Sequence, residues 1–441
     1  MEFGAAGGYD ARMGVLGRFF GRLGPGFLLA AAAVGASHLV MSPQAGALYG
    51  SALLWLVLAA HLLKYPAFEF GPRYAAATGE SLLAGYARIP GPRGWALWLT
   101  LGGTLLQGVG VLAGVAIIAG AVLRVHTRSL SVTAWSLIVL GLVLTLLVVG
   151  RYRWMDLLNK GMMLFLAATT LVAFVAAAPP AEDYAALVVP TLPAGSIPLV
   201  AAMLGWMPTG IDVSIWHSMW TLEKLDLLGI PAGSGGAQER LRTALLDMRI
   251  GYGLSLATGV MFVLIGATYL AGRGAELRGA DFARVLAGVY EGTLGRWMYH
   301  AFLVTASFAM FSTAYTVMDG FSRAFEGSLA QLRRLRREAA AASCEERTAA
   351  CGPAYWSFLV GTALVAAGCI TAFPQPVVLV TFVATVTLLL TPALYAFNVW
   401  CVTRRIPDPA LRPPRVTVWL GWAGVAFMVG VAVLAVVHAL G

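Results

Sequence analysis

Charge is what this chain has least of. Charged residues fill 12% of its 441 positions, against about 25% in an ordinary soluble domain, and 59% of the sequence is hydrophobic. That shortage excludes a soluble enzyme or binding module and leaves an all-α integral membrane protein. Cysteine is scarce too: Cys344, Cys351, Cys369 and Cys401 form no C-x-x-C pair, so no metal framework is indicated. No set of nucleophile, base and oxyanion donors is present to suggest an enzyme, and no cofactor is expected. No A-x-A cleavage site follows the basic stretch 1–22, so the first helix is expected to be retained.

The net charge of +9 comes from 30 basic and 21 acidic residues. The basic residues fall in loops, where the positive-inside rule explains them without a nucleic-acid partner. A spanning helix needs about 20 mostly apolar residues, and eleven such segments can be read: 24–41, 51–70, 95–123, 131–149, 154–177, 197–220, 252–271, 298–321, 355–373, 377–402 and 416–440. Alternate loops are basic. That places the N-terminus in the cytoplasm and, with an odd number of spans, the C-terminus outside a plasma or inner membrane. The link 323–353 carries six arginines; it reads as a solvated connector, or as a docking site for anionic membrane lipid. Lys64, Glu69 and Arg73 lie towards the cytoplasmic end of the second span. Glu69 and Arg73 are an i,i+4 pair and Lys64 can snorkel, so all three read as structural.

Two spans are interrupted. Gly35-Ala36-Ser37-His38 sits in the first, and Trp206-Met207-Pro208-Thr209-Gly210-Ile211-Asp212 sits in the sixth. Small and polar residues at mid-membrane predict that each helix unwinds there around a buried site. Breaks five spans apart predict ten helices in two inverted halves, 24–178 and 192–402, after a cytoplasmic segment 1–23 and before an extra eleventh helix 416–441.

Gly24-Pro25-Gly26, then Ala45-Gly46-Ala47-Leu48-Tyr49-Gly50-Ser51-Ala52-Leu53-Leu54-Trp55, resembles the start of the Nramp (natural resistance-associated macrophage protein) family. Met207-Pro208 resembles that family's Met-Pro-His, and Val317-Met318-Asp319-Gly320-Phe321 resembles its eighth-helix pattern. The resemblance implies a LeuT-like fold with a 5+5 inverted repeat, and proton-coupled uptake of divalent metals such as manganese or iron. The departures are specific. Counting back from Tyr49-Gly50, the family's Asp-Pro-Gly-Asn falls on Gly35-Ala36-Ser37-His38, which removes the carboxylate and puts in an imidazole. Met-Pro-His becomes Met207-Pro208-Thr209, and no carboxylate lies anywhere in 95–123.

The candidate substrate site is therefore Gly35, Ala36, Ser37, His38, Met207, Pro208, Thr209 and Asp212. Asp212 reads either as the far member of a capping box with Thr209 as N-cap or as a substrate contact, and Ser37 as a cap for the outer half of the first helix. His38 is a packing residue or a proton carrier, and His217 resembles a family histidine on the proton route. Half-helix N-termini without the family's aspartate leave a neutral to positive site unless Asp212 faces inward. The expectation is an alternating-access secondary transporter of another small ion or polar solute, with protons as candidate coupling ion. One alternative is a divalent-metal transporter with His38, Met207 and Asp212 as rebuilt ligands. Another is a membrane sensor that no longer transports.

Overall fold

The computed structural model describes residues 21, 23–127, 129–149, 152–231, 235–272, 282–339, 352–372 and 376–440, and every regular element among them is helical. Cys344, Cys351 and most of the arginine-rich link's far half lie outside the described residues. Helix α1 (Pro25–Ala33) passes through a π-helical turn (Ser37–Met41) into α2 (Ser42–Tyr49), and α3 (Leu54–Thr78) follows after a short 3-10 turn. Next come α4 (Leu82–Tyr86), α5 (Trp95–Thr127), α6 (Val132–Val149) and α7 (Tyr152–Ala177). The second half holds α8 (Ile197–Trp206), α9 (Val213–Leu227), α10 (Ala237–Tyr269), α11 (Phe282–Leu294), α12 (Arg296–Ala339), α13 (Pro353–Ala372), α14 (Pro376–Arg404) and α15 (Arg415–Leu440).

Eight helical stretches among the described residues are long and apolar enough to cross a membrane. One of them, Pro25–Thr78, runs the expected first two spans together; the fifth span is a shorter apolar helix, and the sixth is divided into α8 and α9. Lipid-facing character shows on the periphery, where Leu364 on α13 and Trp419 on α15 are 70% and 74% exposed. Apolar side chains in such positions suit hydrocarbon contact. The interior is built on α5, which packs against α6, α12, α13 and α14, and on α10, which packs against α1, α2, α3 and α7.

Small residues let these helices meet at backbone distance. A Cβ on Gly26 would strike the backbone of Asp247, and one on Gly251 would strike the backbone of Gly26. That close crossing of α1 and α10 brings the Asp247 carboxylate onto the first helix, where it accepts from the amides of Gly24 and Gly26 at 3.0 and 2.7 Å. Two amides that no helical carbonyl can serve are thereby satisfied, beside the positive end of the helix dipole. Asp319 on α12 joins side chains instead: its carboxylate accepts from Trp220 Nε1 (3.1 Å), Tyr355 OH (2.9 Å) and Arg323 Nε (2.8 Å), and Arg323 continues to Glu223 at 2.9 Å. This ties α9 to α12 and α13. Glu69 and Arg73 form the expected i,i+4 pair, buried, at 2.6 Å.

Two local expectations are corrected. The first span is interrupted as expected, but only briefly: α1 ends at Ala33, Val34 and Gly35 form a turn, and the chain then widens into the π-helical turn and continues to Tyr49. Its carbonyls find partners without leaving the helix, because Thr313 Oγ1 donates to Ala31 O at 2.7 Å and Ser37 Oγ donates to Ala33 O at 2.9 Å. Ser37 therefore serves a carbonyl and caps no outgoing helix. The proposed capping box is also absent. Helix α9 starts at Val213 with Asp212 itself at the N-cap position, and its side chain makes no cap hydrogen bond to the first turn.

Candidate functional site

The sixth-span break is the wider of the two. Met207 takes an extended conformation after α8 and five more residues pass before α9 begins, so several carbonyls lose their helical donors. The ammonium of Lys64 supplies them. Its Nζ donates to Leu204 O at 3.0 Å, Met207 O at 2.9 Å and Thr209 O at 2.9 Å. An ammonium has three donors, so all three are used here. Lys64 is 0% exposed; the expected snorkelling does not occur, because the charge finds its acceptors inside the protein. Asp212, three residues beyond Thr209, is the carboxylate of the same break.

A cavity of about 30 Å³ lies between the breaks, room for about two waters. The first span contributes Ala36 and Ser37, the sixth contributes Thr209, Gly210 and Asp212, and α5 contributes Gln107. Trp206, Trp216 and Phe321 provide aromatic walls, with the Trp216 and Phe321 rings 4.5 Å apart. A second cavity, of about 10 Å³, shares Gln107 and Asp212 with the first and runs past Thr104 and Thr100 along α5. Most hydroxyls around the main cavity are committed: Thr313 to Ala31 O, and Thr387 to Val383 O while it accepts from Trp206 Nε1. Gln107 Oε1 and Trp216 Nε1, by contrast, are buried with no hydrogen-bond partner among the described residues.

The predicted site residues divide into two groups. Ala36, Ser37, Thr209 and Asp212 line the cavity together. Gly35, His38, Met207 and Pro208 are absent from its wall. Gly35 packs on Thr313 so closely that a Cβ would lie 2.9 Å from its hydroxyl. Met207 is fully buried and reaches Lys64 through its carbonyl. The His38 ring turns towards α10 and α3: Nδ1 lies 2.9 Å from Ser37 Oγ, and Nε2 lies 3.0 Å from Ser255 O and 3.1 Å from Ser255 Oγ. Ser255 Oγ is in turn 3.1 Å from His61 Nε2. Ser37, His38, Ser255 and His61 thus make a continuous chain of polar contacts leading away from the cavity wall. His217 is buried in α9 with neither ring nitrogen partnered among the described residues. Among those residues no group of three or more His, Cys, Asp or Glu side chains is assembled to hold a metal ion.

The family model described as natural resistance-associated macrophage protein-like matches residues 26–438. The chain belongs to the Nramp family. This Nramp chain is 33% identical over 316 residues to an uncharacterised protein of Pasteurella multocida, covering 69% of each. It is 26% identical over 239 residues to the divalent metal cation transporter MntH of Aeromonas hydrophila, covering 52% of this chain and 54% of that one. The chain thus aligns with about half the length of that relative. Among solved structures, a variant of the Eremococcus coleocola manganese transporter superposes with a TM-score of 0.71 at 13% identity, covering 99% of this chain and 88% of that one. Mhp1, a nucleobase-cation-symport-1 family transporter, superposes with a TM-score of 0.54 at 16% identity over 93% and 87%. At such identities the likeness concerns the fold, which is the LeuT-like arrangement of an all-helical, multi-pass membrane transporter.

Two residues that line the cavity, Gln107 and Trp216, escape the sequence reading, and a third beside it, Lys64, reads there as structural. Gln107 is an amide in a segment searched for carboxylates, and Trp216 looked like an aromatic of an apolar helix. Lys64 was visible as a lone lysine inside an apolar run, and its depth was the available signal.

Proposed function

We propose that this Nramp-family transporter works by alternating access around the cavity between its two interrupted helices, and that it carries a small polar solute in place of a bare manganese or iron ion. The observation that supports this is the pairing of an unserved acceptor, Gln107 Oε1, with an unserved donor, Trp216 Nε1, on one cavity whose single carboxylate, Asp212, shares its break with Lys64. A hard or borderline divalent cation needs acceptors only, preferably several carboxylates. A solute with both donor and acceptor groups satisfies both orphans, and burial makes each unserved group costly. In this reading Ser37, Ala36, Thr209 and Asp212 contact the substrate. Gly35, Met207 and Pro208 shape the breaks, and His38 and His217 carry the coupling proton. The N-terminus lies in the cytoplasm, following the arginines of alternate loops.

Calorimetry with manganese, cadmium and magnesium on the purified protein tests the reading. Heats no larger than those of dilution are expected. Micromolar binding that Asp212→Ala abolishes would overturn it.

A second reading is divalent-metal transport through His38, Met207 and Asp212, and the similarity to the divalent metal cation transporter MntH of Aeromonas hydrophila favours it. It requires His38 to leave Ser255 and Met207 to turn its thioether into the cavity. Manganese held by these three side chains in a soaked crystal is the outcome that would establish it.

A further inference from the structure

Three carbonyl oxygens, from Leu204, Met207 and Thr209, converge on one point within 2.9–3.0 Å, and the Lys64 ammonium sits at that point. Converging backbone carbonyls with a carboxylate in the same break form a seat for a positive ion, and here that carboxylate is Asp212, three residues beyond Thr209. The seat exists because α8 ends at Trp206 and the chain runs extended through Met207. It is enclosed, with Lys64 fully buried in the middle of α3. A lysine placed to reach water would have left these carbonyls to a soluble ion.

We infer that the sixth-helix break is a cation site whose occupant is part of the chain: Lys64 is a tethered cation that takes the place of a soluble monovalent ion. The geometry of the seat stands by itself, and its part in transport rests on the function proposed above. In this arrangement the break is charge-balanced before any solute arrives, and substrate binding requires no sodium or potassium. Removing the lysine side chain while keeping Asp212 leaves a vacant seat of the right charge for a small cation.

Full-length protein carrying Lys64→Ala tests the inference by thermal unfolding in detergent, with choline chloride exchanged at constant ionic strength for sodium, potassium or ethylammonium chloride. Choline is too bulky for the seat and reports ionic strength alone. The wild type is expected to melt at the same temperature in all four salts. The variant is expected to melt lower in choline and to recover in at least one of the small cations, with saturable dependence on concentration. The recovery is expected to disappear when Asp212→Asn is added. A Lys64→Ala protein that folds but responds identically to every salt would overturn the inference and leave Lys64 as a plain structural staple. If Lys64→Ala cannot be purified folded, Lys64→Gln goes through the same series, since its amide keeps donors for the carbonyls but no charge. Recovery of Lys64→Gln by a small cation supports the seat, and its absence counts against it. None of these outcomes depends on manganese binding to the wild type, so the inference can fail while the proposed function survives, and the reverse.

Discussion

At the first interrupted helix the carbonyls of Ala31 and Ala33 accept from the hydroxyls of Thr313 and Ser37, at 2.7 and 2.9 Å. At the other, the carbonyls of Leu204, Met207 and Thr209 share a single ammonium. The first solution is neutral: Ser37 serves a carbonyl one turn back along its own helix, Thr313 reaches Ala31 from α12, and the backbone needs only widen. The second is charged, with Lys64 reaching across from α3. A neutral hydrogen bond contributes about 0.5–1.5 kcal/mol net and one to a charged group about 1.5–3 kcal/mol. The stronger donor goes with the larger opening. The difference teaches that an interruption in a buried helix extends as far as its freed carbonyls can be served.

The largest test of this contrast is Lys64→Met, which keeps the apolar volume and removes the donor. It strands three carbonyls and leaves Asp212 without the cation of its break, and removing one member of a buried charged set costs about 3–5 kcal/mol. Chemical unfolding in detergent should show a loss of that size. An unchanged midpoint would mean that the sixth break does not depend on the lysine. Thr313→Val is nearly isosteric and strands only Ala31 O, for an expected loss of about 1–2 kcal/mol in the same assay. Ser37→Ala should cost less, about 0.5–1.5 kcal/mol, because Ala33 O can tighten onto a backbone amide in the adjacent π-helical turn. If Ser37→Ala proved as damaging as Lys64→Met, the distinction between neutral and charged breaks would fail.

The smallest expected effect is at Glu80 and Arg88, a pair just beyond the end of α3 with both side chains a third exposed. The Arg88 guanidinium holds the Glu80 carboxyl below its ordinary value of 4.5. A depressed folded-state value means that the pair's contribution is fully present above the ordinary carboxylate range and is lost as pH falls through the lowered value. At neutral pH, Glu80→Gln should cost less than about 1 kcal/mol, since water screens a partly exposed pair. The wild-type advantage over Glu80→Gln should shrink only in acid, as unfolding midpoints measured across pH will show.

Much of the architecture was legible because apolar run length and loop charge are local properties of the sequence. The two interruptions were legible for the same reason, as Gly35 and Pro208 do not belong in an unbroken apolar helix. What each residue does at its interruption was not. Ser37 and His38 are adjacent, yet helical geometry turns Ser37 to the cavity and His38 towards Ser255 on α10, more than 200 positions away in sequence. Thr209 and Asp212 had the spacing of a capping box, but Lys64 holds Thr209 O and keeps that residue outside α9. Lys64 itself was read as a side chain seeking water, because the three carbonyls that hold it are made available only by the fold. Gln107 went unremarked since an amide acquires meaning only when the surrounding groups leave its oxygen unserved.

The grip of Asp247 on the first helix has a mechanical consequence. Both amides it holds, at Gly24 and Gly26, lie at one tip of α1, and the glycine crossing beneath them leaves no room for sliding. A tilt of α1 must therefore either drag α10 along or let go of two hydrogen bonds at once. The carboxylate acts as a catch on that movement. Hydrogen exchange at the Gly24 and Gly26 amides, compared between wild type and Asp247→Asn, would time the catch directly.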